Sequence, residues 1–152
     1  MVTVEVDDRS SWTGDAQPLV EQAAFLIAEI GLHPDTELSL SLVDPDEMSD
    51  LHSEWLDEPG PTDVLSFPMD ELRAPEPGRP SEPGALGDIV LCPQIAAEQG
   101  EAAGHGQDAE LELLLTHGLL HLLGHDHVEP EEHAEMFALQ DRLLAAWRAR
   151  ER

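Results

Sequence analysis

Residues 108–123 read DAELELLLTHGLLHLL, in which Leu111, Leu114, Leu115, Leu119 and Leu122 put apolar side chains around most of a helical circumference. A surface helix carries one apolar stripe, whereas a helix apolar nearly all round must be covered on several sides. The segment therefore predicts a central helix with the rest of the chain built about it. Its last turns run into HGLLHLLGHDH at 117–127, which sets four histidines among the leucines. His117 and His121, four residues apart, project from one helical face a turn apart and can offer two imidazole nitrogens to one ion. Gly124 can take the left-handed conformation that ends a helix, turning the chain so that His127 swings back to the same point. The spacing H-x3-H-x2-G-x2-H is thus a three-ligand site made by a helix and its terminal turn. Three neutral imidazoles suit Zn2+ and leave a fourth tetrahedral position for water, as in catalytic rather than structural zinc sites. Ni2+ or another divalent ion also fits, because imidazole discriminates weakly among them. His125 reads as an exposed bystander, and Asp126 as a group that caps the turn, orients a ligand or touches the metal's water.

In ligand spacing the motif resembles the metzincin protease signature H-E-x-x-H-x-x-G-x-x-H, with Gly118 where that signature has glutamate. The glutamate is the base that activates water for peptide hydrolysis, and glycine has no side chain to replace it. A conventional protease is disfavoured.

Upstream, alternation at 2–6 (VTVEV) and 37–43 (ELSLSLV) predicts strands on either side of a helix over 18–30, which Gly31 follows. Asp44, Pro45 and Glu47 form a helix-start signal, TDVLSF at 62–67 and LGDIVL at 86–91 read as compact strands, and further helices are expected over 93–103 and 131–147. The Pro/Gly-rich residues 72–85 are expected to form a flexible loop with little structure of its own. Strands and helices mix without strict βαβ alternation, so one α+β domain spanning 1–152 is expected, a small mixed β-sheet packed with helices.

Cys92 is the chain's single cysteine, which excludes an intramolecular disulfide and any zinc site built on paired cysteines. The start has no signal-peptide pattern and no apolar run is long enough to span a bilayer, so a cytoplasmic protein without membrane contact is expected. Thirty-three acidic residues face seven basic ones, all arginine, for a formal charge of −26. Such a chain repels polyanions at long range and does not hold nucleic acid on a broad basic face.

HGLLHLLGHDH resembles the H-G-x-L-H-L-x-G-[YH]-D-H motif of the YbeY family, metal-dependent single-strand endoribonucleases of bacterial ribosomal RNA maturation, including the 16S 3′ end, and of ribosome quality control. PTDVLSFPMDE at 61–71 is similar to the family's second signature and GALGDIVLCP at 84–93 to its third, in the same order. The resemblance implies a zincin-like fold with a central metal-binding helix. It makes His117, His121 and His127 the zinc ligands, with Asp126 beside them in the catalytic group. It also sets Gly87 and Asp88 near substrate, with Ser66 and Phe67 on the neighbouring strand; ordinary sheet and turn roles are the alternative for these positions. Ribosomal RNA is the implied substrate, met within ribosomal particles with a ribosomal protein or GTPase as partner, and DNA is not implicated.

Two positions depart from the family pattern. Leu56 stands where many members have an arginine implicated in activity, and Leu113 where many have a histidine one turn before the first ligand. Arg73 and Arg79, in the 72–85 loop, are candidate substitutes for contacting phosphate. The base is left open among Asp126, a substrate phosphate oxygen and the RNA 2′-hydroxyl. Two rival readings stand beside the nuclease: a ribosome-associated assembly factor with a structural zinc, and a zinc hydrolase of another substrate class.

Overall fold

The computed structural model describes residues 2–56, 62–125 and 129–150. In chain order the elements are β1 (Thr3–Asp8), α1 (Gln17–Ile30), β2 (Thr36–Leu42), α2 (Pro45–Leu56), β3 (Val64–Pro68), β4 (Gly84–Leu91), α3 (Pro93–Ala103), α4 (Gly106–Leu122) and α5 (Pro130–Ala149). The four strands form one sheet in the order β1-β2-β4-β3. β1, β2 and β4 are mutually parallel, and β3 closes the far edge antiparallel to β4, pairing Ser66 with Ile89 and Phe67 with Asp88. The fold is thus the mixed-sheet α+β domain that the patterning predicts.

Local chemistry sets the boundaries. Pro45 starts α2 where a missing N–H costs nothing, the Met48 N–H donates to the Asp44 carbonyl at 3.0 Å, and Asp46 and Glu47 put negative charge on the first turn. Pro93 and Pro130 likewise open α3 and α5.

Two apolar clusters hold the sheet, one on each face. Leu38, Leu40, Leu42, Leu86, Ile89 and Leu91 meet α1, α4 and α5 on one side. On the other, Val43, Met48, Leu65, Val90 and Cys92 form a smaller cluster beneath α2, with Leu51 and Phe67 packed against it. The helix α4 is central: Leu111, Leu114, Leu115, Leu119, Leu120 and Leu122 are all buried, facing β3 and β4 as well as three other helices. Its buried polar groups are paired. Gln22 donates to Thr116 Oγ1 and to the Glu112 carbonyl, both at 2.9 Å, while Glu110 accepts from His105 Nε2 at 2.6 Å. Among the described residues no helix is long and apolar enough to cross a membrane.

The segment expected to be an unstructured loop over 72–85 is shorter and more ordered in its backbone than its composition suggests. Gly84 and Ala85 belong to β4, and Glu76 and Arg79 exchange backbone hydrogen bonds of 2.9 and 2.8 Å around Pro77-Gly78. Proline followed by a glycine at φ +79° is the sequence a type II turn requires. Leu72 is buried in the main core and pins the start of the segment.

Candidate metal centre

The cleft begins where α4 passes under the edge strand. Gly118 makes that approach feasible: a Cβ there would lie 3.1 Å from Ile89 Cγ2, Ser66 Oγ and Val64 Cγ2. Ser66 Oγ donates to the Gly118 carbonyl at 2.9 Å, tying β3 to the helix at the residue next to His117. The position that carries the base in a metzincin is thus filled here by the sheet itself.

One residue before Gly118 and three after it, His117 and His121 point into a cleft of about 500 Å3 lined also by Asp63, Val64, Leu65, Ser66 and Pro68. Their Nε2 atoms lie 3.0 Å apart, and the rings meet edge to face with centroids 4.6 Å apart. Two imidazoles bound tetrahedrally to one ion at about 2.0–2.1 Å would have nitrogens ~3.3 Å apart, so the pair fits a shared metal. The other nitrogen of His117 is already committed, since Nδ1–H donates to Gln140 Oε1 on α5 at 2.8 Å. That bond fixes the tautomer that leaves the Nε2 lone pair for a metal, the usual arrangement behind a ligating histidine. Phe137 lies against His117, with ring centroids 5.7 Å apart, and His133 stacks on Phe137 at 4.4 Å.

The helix ends as the sequence requires. Gly124 has φ +93°, its N–H donates to the His121 carbonyl at 3.0 Å and the His125 N–H to the Leu120 carbonyl at 3.1 Å, the paired bonds of a Schellman turn. His125 is partly buried rather than fully exposed. Asp126 and His127 lie outside the described residues, and among the described residues no three metal-ligating side chains converge.

Arg73 comes to the same turn. A Cβ on Gly124 would sit 3.0 Å from Arg73 Cζ, so the guanidinium lies against the end of α4, held by an Nη1–H donated to the Leu72 carbonyl at 3.1 Å. Arg79 is differently placed, spending its charge on Glu76 at 3.2 Å on an exposed surface. Leu113 is half-buried on α4; Leu56 is the last residue of α2.

The four sheet residues expected near substrate divide. Ser66 lines the histidine cleft. Gly87 serves a close approach, since a Cβ there would be 2.2 Å from the Phe67 carbonyl oxygen and 3.0 Å from Leu122 Cδ2. Phe67 and Asp88, paired across β3 and β4, lie on the opposite face of the sheet, beside Trp55 and Val90. Burial pushes the Asp88 carboxyl pKa above its ordinary value, partly offset by a 3.4 Å hydrogen bond from Ser41.

Sequence reasoning missed Gln140. Its signal was a glutamine inside the apolar stripe of α5, among Met136, Leu143, Leu144 and Trp147. A slightly larger cavity of about 540 Å3, between the β1–α1 connection and α4, contains no histidine and is remote from this chemistry.

The sequence profile of the family described as Endoribonuclease YbeY matches residues 4–148. The protein called Endoribonuclease YbeY in Thermobifida fusca is 56% identical over 147 residues, covering 97% of this chain and 95% of that one. Its namesake in Mycobacterium tuberculosis is 55% identical over 152 residues, covering 96% and 84%. The solution structure of TM1509 from Thermotoga maritima superposes with a TM-score of 0.63 at 27% identity, covering 98% of this chain and 93% of that one. On a profile match over nearly the whole length and relatives above half identity, the chain belongs to the endoribonuclease YbeY family.

Proposed function

We propose that this protein is a zinc-dependent endoribonuclease that cleaves single-stranded ribosomal RNA during ribosome maturation and quality control in the cytoplasm. The observation that carries the reading is the convergence of His117 and His121 Nε2 in an open cleft, with Gln140 behind His117. His117 and His121, joined by His127, are the residues that would hold Zn2+ or another divalent ion such as Ni2+. Such an ion supplies Lewis acidity at a phosphoryl oxygen and lowers the pKa of water.

The chain's own residues do the rest. Gln140 holds the His117 ring in the ligating tautomer, and the Ser66–Gly118 bond fixes the cleft wall against the ligand helix. Arg73, the cation beside the Gly124 turn, takes the phosphate-contacting role that Leu56 cannot fill. Gly118 offers no base, which leaves Asp126, a phosphate oxygen or the 2′-hydroxyl to accept the proton. Asp63 is the carboxylate lining the cleft among the described residues, and its Oδ1 accepts from the Val64 N–H at 2.8 Å, a bond that commits it to the start of β3.

At −26 the surface repels free RNA, so productive encounter relies on a ribosomal particle and on a ribosomal protein or GTPase partner. The test compares metal-stripped and zinc-loaded protein on single-stranded ribosomal RNA and on ribosomal subunits, beside a His117→Ala, His121→Ala double variant. Zinc-dependent cleavage absent from the double variant is expected. Cleavage that persists in it would sink the nuclease reading.

A further inference from the structure

Two large apolar side chains are exposed among the described residues, Trp55 at 64% and Met69 at 67%, and both line one cleft of about 340 Å3. Phe67 stands edge-on to the Trp55 indole with centroids 6.4 Å apart, so the indole is backed by a second ring and keeps one side to solvent. Isolated exposed apolar groups are ordinary, but an aromatic pair and a methionine gathered in one concavity present a flat apolar surface that water wets poorly.

The polar lining restricts what that surface can take. Arg9, the cation of the cleft, is already bound by Asp7 and by Glu47, whose Oε2 accepts from Nε at 2.9 Å and Nη2 at 2.6 Å. Asp88 adds a carboxylate. The lining thus has no spare positive charge for a phosphate. It offers a stacking platform beside a hydrogen-bond acceptor, which suits a neutral planar ring that carries N–H donors.

Position supplies the occupant. Pro68, at the end of the edge strand β3, lines both this cleft and the one holding His117 and His121. A single strand separates the two, and among the described residues no further strand flanks it. We propose that the cleft is a nucleobase subsite: a flexible single strand whose phosphate lies at the histidines turns a neighbouring base around the β3 edge to stack on Trp55, with its exocyclic amino group donating to Asp88. The proposal rests on the RNA-cleaving reading above. It makes Trp55 an affinity determinant and Asp88 a specificity determinant, favouring adenine, cytosine or guanine over uracil, which has no amino group.

The test follows the Trp55 indole N–H by NMR while short oligoadenylate, oligocytidylate and oligouridylate are titrated into the full chain, with cleavage measured separately on RNAs varied beside the cut. The expected results are an indole shift with oligoadenylate and oligocytidylate, a roughly tenfold rise in KM for Trp55→Ala that Trp55→Phe largely restores, and loss of discrimination against uridine in Asp88→Asn. Indole shifts without cleavage by any form would refute the nuclease reading and leave the subsite standing. Cleavage with Trp55→Ala at unchanged KM and base preference would overturn the subsite alone, as would an indole shift with a basic peptide and none with any oligonucleotide.

Discussion

Gly118→Ala tests whether helix α4 is seated against the sheet as tightly as described. On propensity alone, alanine in a helix interior is about 1 kcal/mol better than glycine. The new methyl, however, would stand 3.1 Å from three atoms, against roughly 3.5–4.0 Å for relaxed carbon contacts. Val64 and Ile89 are fixed by the β3–β4 ladder and Ser66 by its bond to the Gly118 carbonyl, so none of the three yields freely. Overpacking of this kind costs about 1–3 kcal/mol, and the net expectation is a loss of roughly 0–2 kcal/mol. Urea unfolding of the wild type, Gly118→Ala, Val64→Ala and the double variant measures it. Because Val64→Ala removes one of the three clashing atoms, the double variant should recover about 1 kcal/mol relative to additivity. A Gly118→Ala protein more stable by the full propensity gain, or a cycle additive within about 0.5 kcal/mol, would refute the account.

Three further outcomes follow from the same geometry. Gln140→Leu removes the acceptor behind His117 and should weaken zinc affinity about 10–100-fold in a chelator competition, with little change in fold by circular dichroism. Gly124→Ala forces a side chain into φ +93° and against Arg73, so it should lose about 1–2 kcal/mol in denaturant unfolding and, like Arg73→Ala, should raise the KM for RNA. Burial raises the Asp88 pKa, so between its unfolded and folded values the folded chain binds the extra proton, and stability falls as pH rises through that window. Asp88→Asn should therefore raise the urea midpoint at about pH 7 by more than at about pH 4; an equal gain at both would exclude the charge as its source.

Much of this was legible in the chain. The all-round apolarity of 108–123 marked α4 as central, and the four-residue step from His117 to His121 marked one face of it, because both signals are local and repeat with the helix. The glycine at 124 was readable for the same reason, since few residues take that φ. The sheet residues were harder. Ser66 and Phe67 are adjacent on a strand, and adjacent strand residues point to opposite faces, so both could not line the histidine cleft. The alternation held that information, but only the packing of α4 and α2 says which face is which. Gln140 and Arg73 reach the site across long stretches of chain, from a helix stripe and an aperiodic segment, and no local pattern encodes such a meeting.

Cys92, the chain's single thiol, is fully buried in the smaller core under α2, and burial pushes its pKa up. It is inert to alkylation while that layer stays shut, because only an accessible thiolate reacts. Pulsed labelling therefore clocks the opening of the face that carries Trp55, separately from the histidine face, with no engineered reporter.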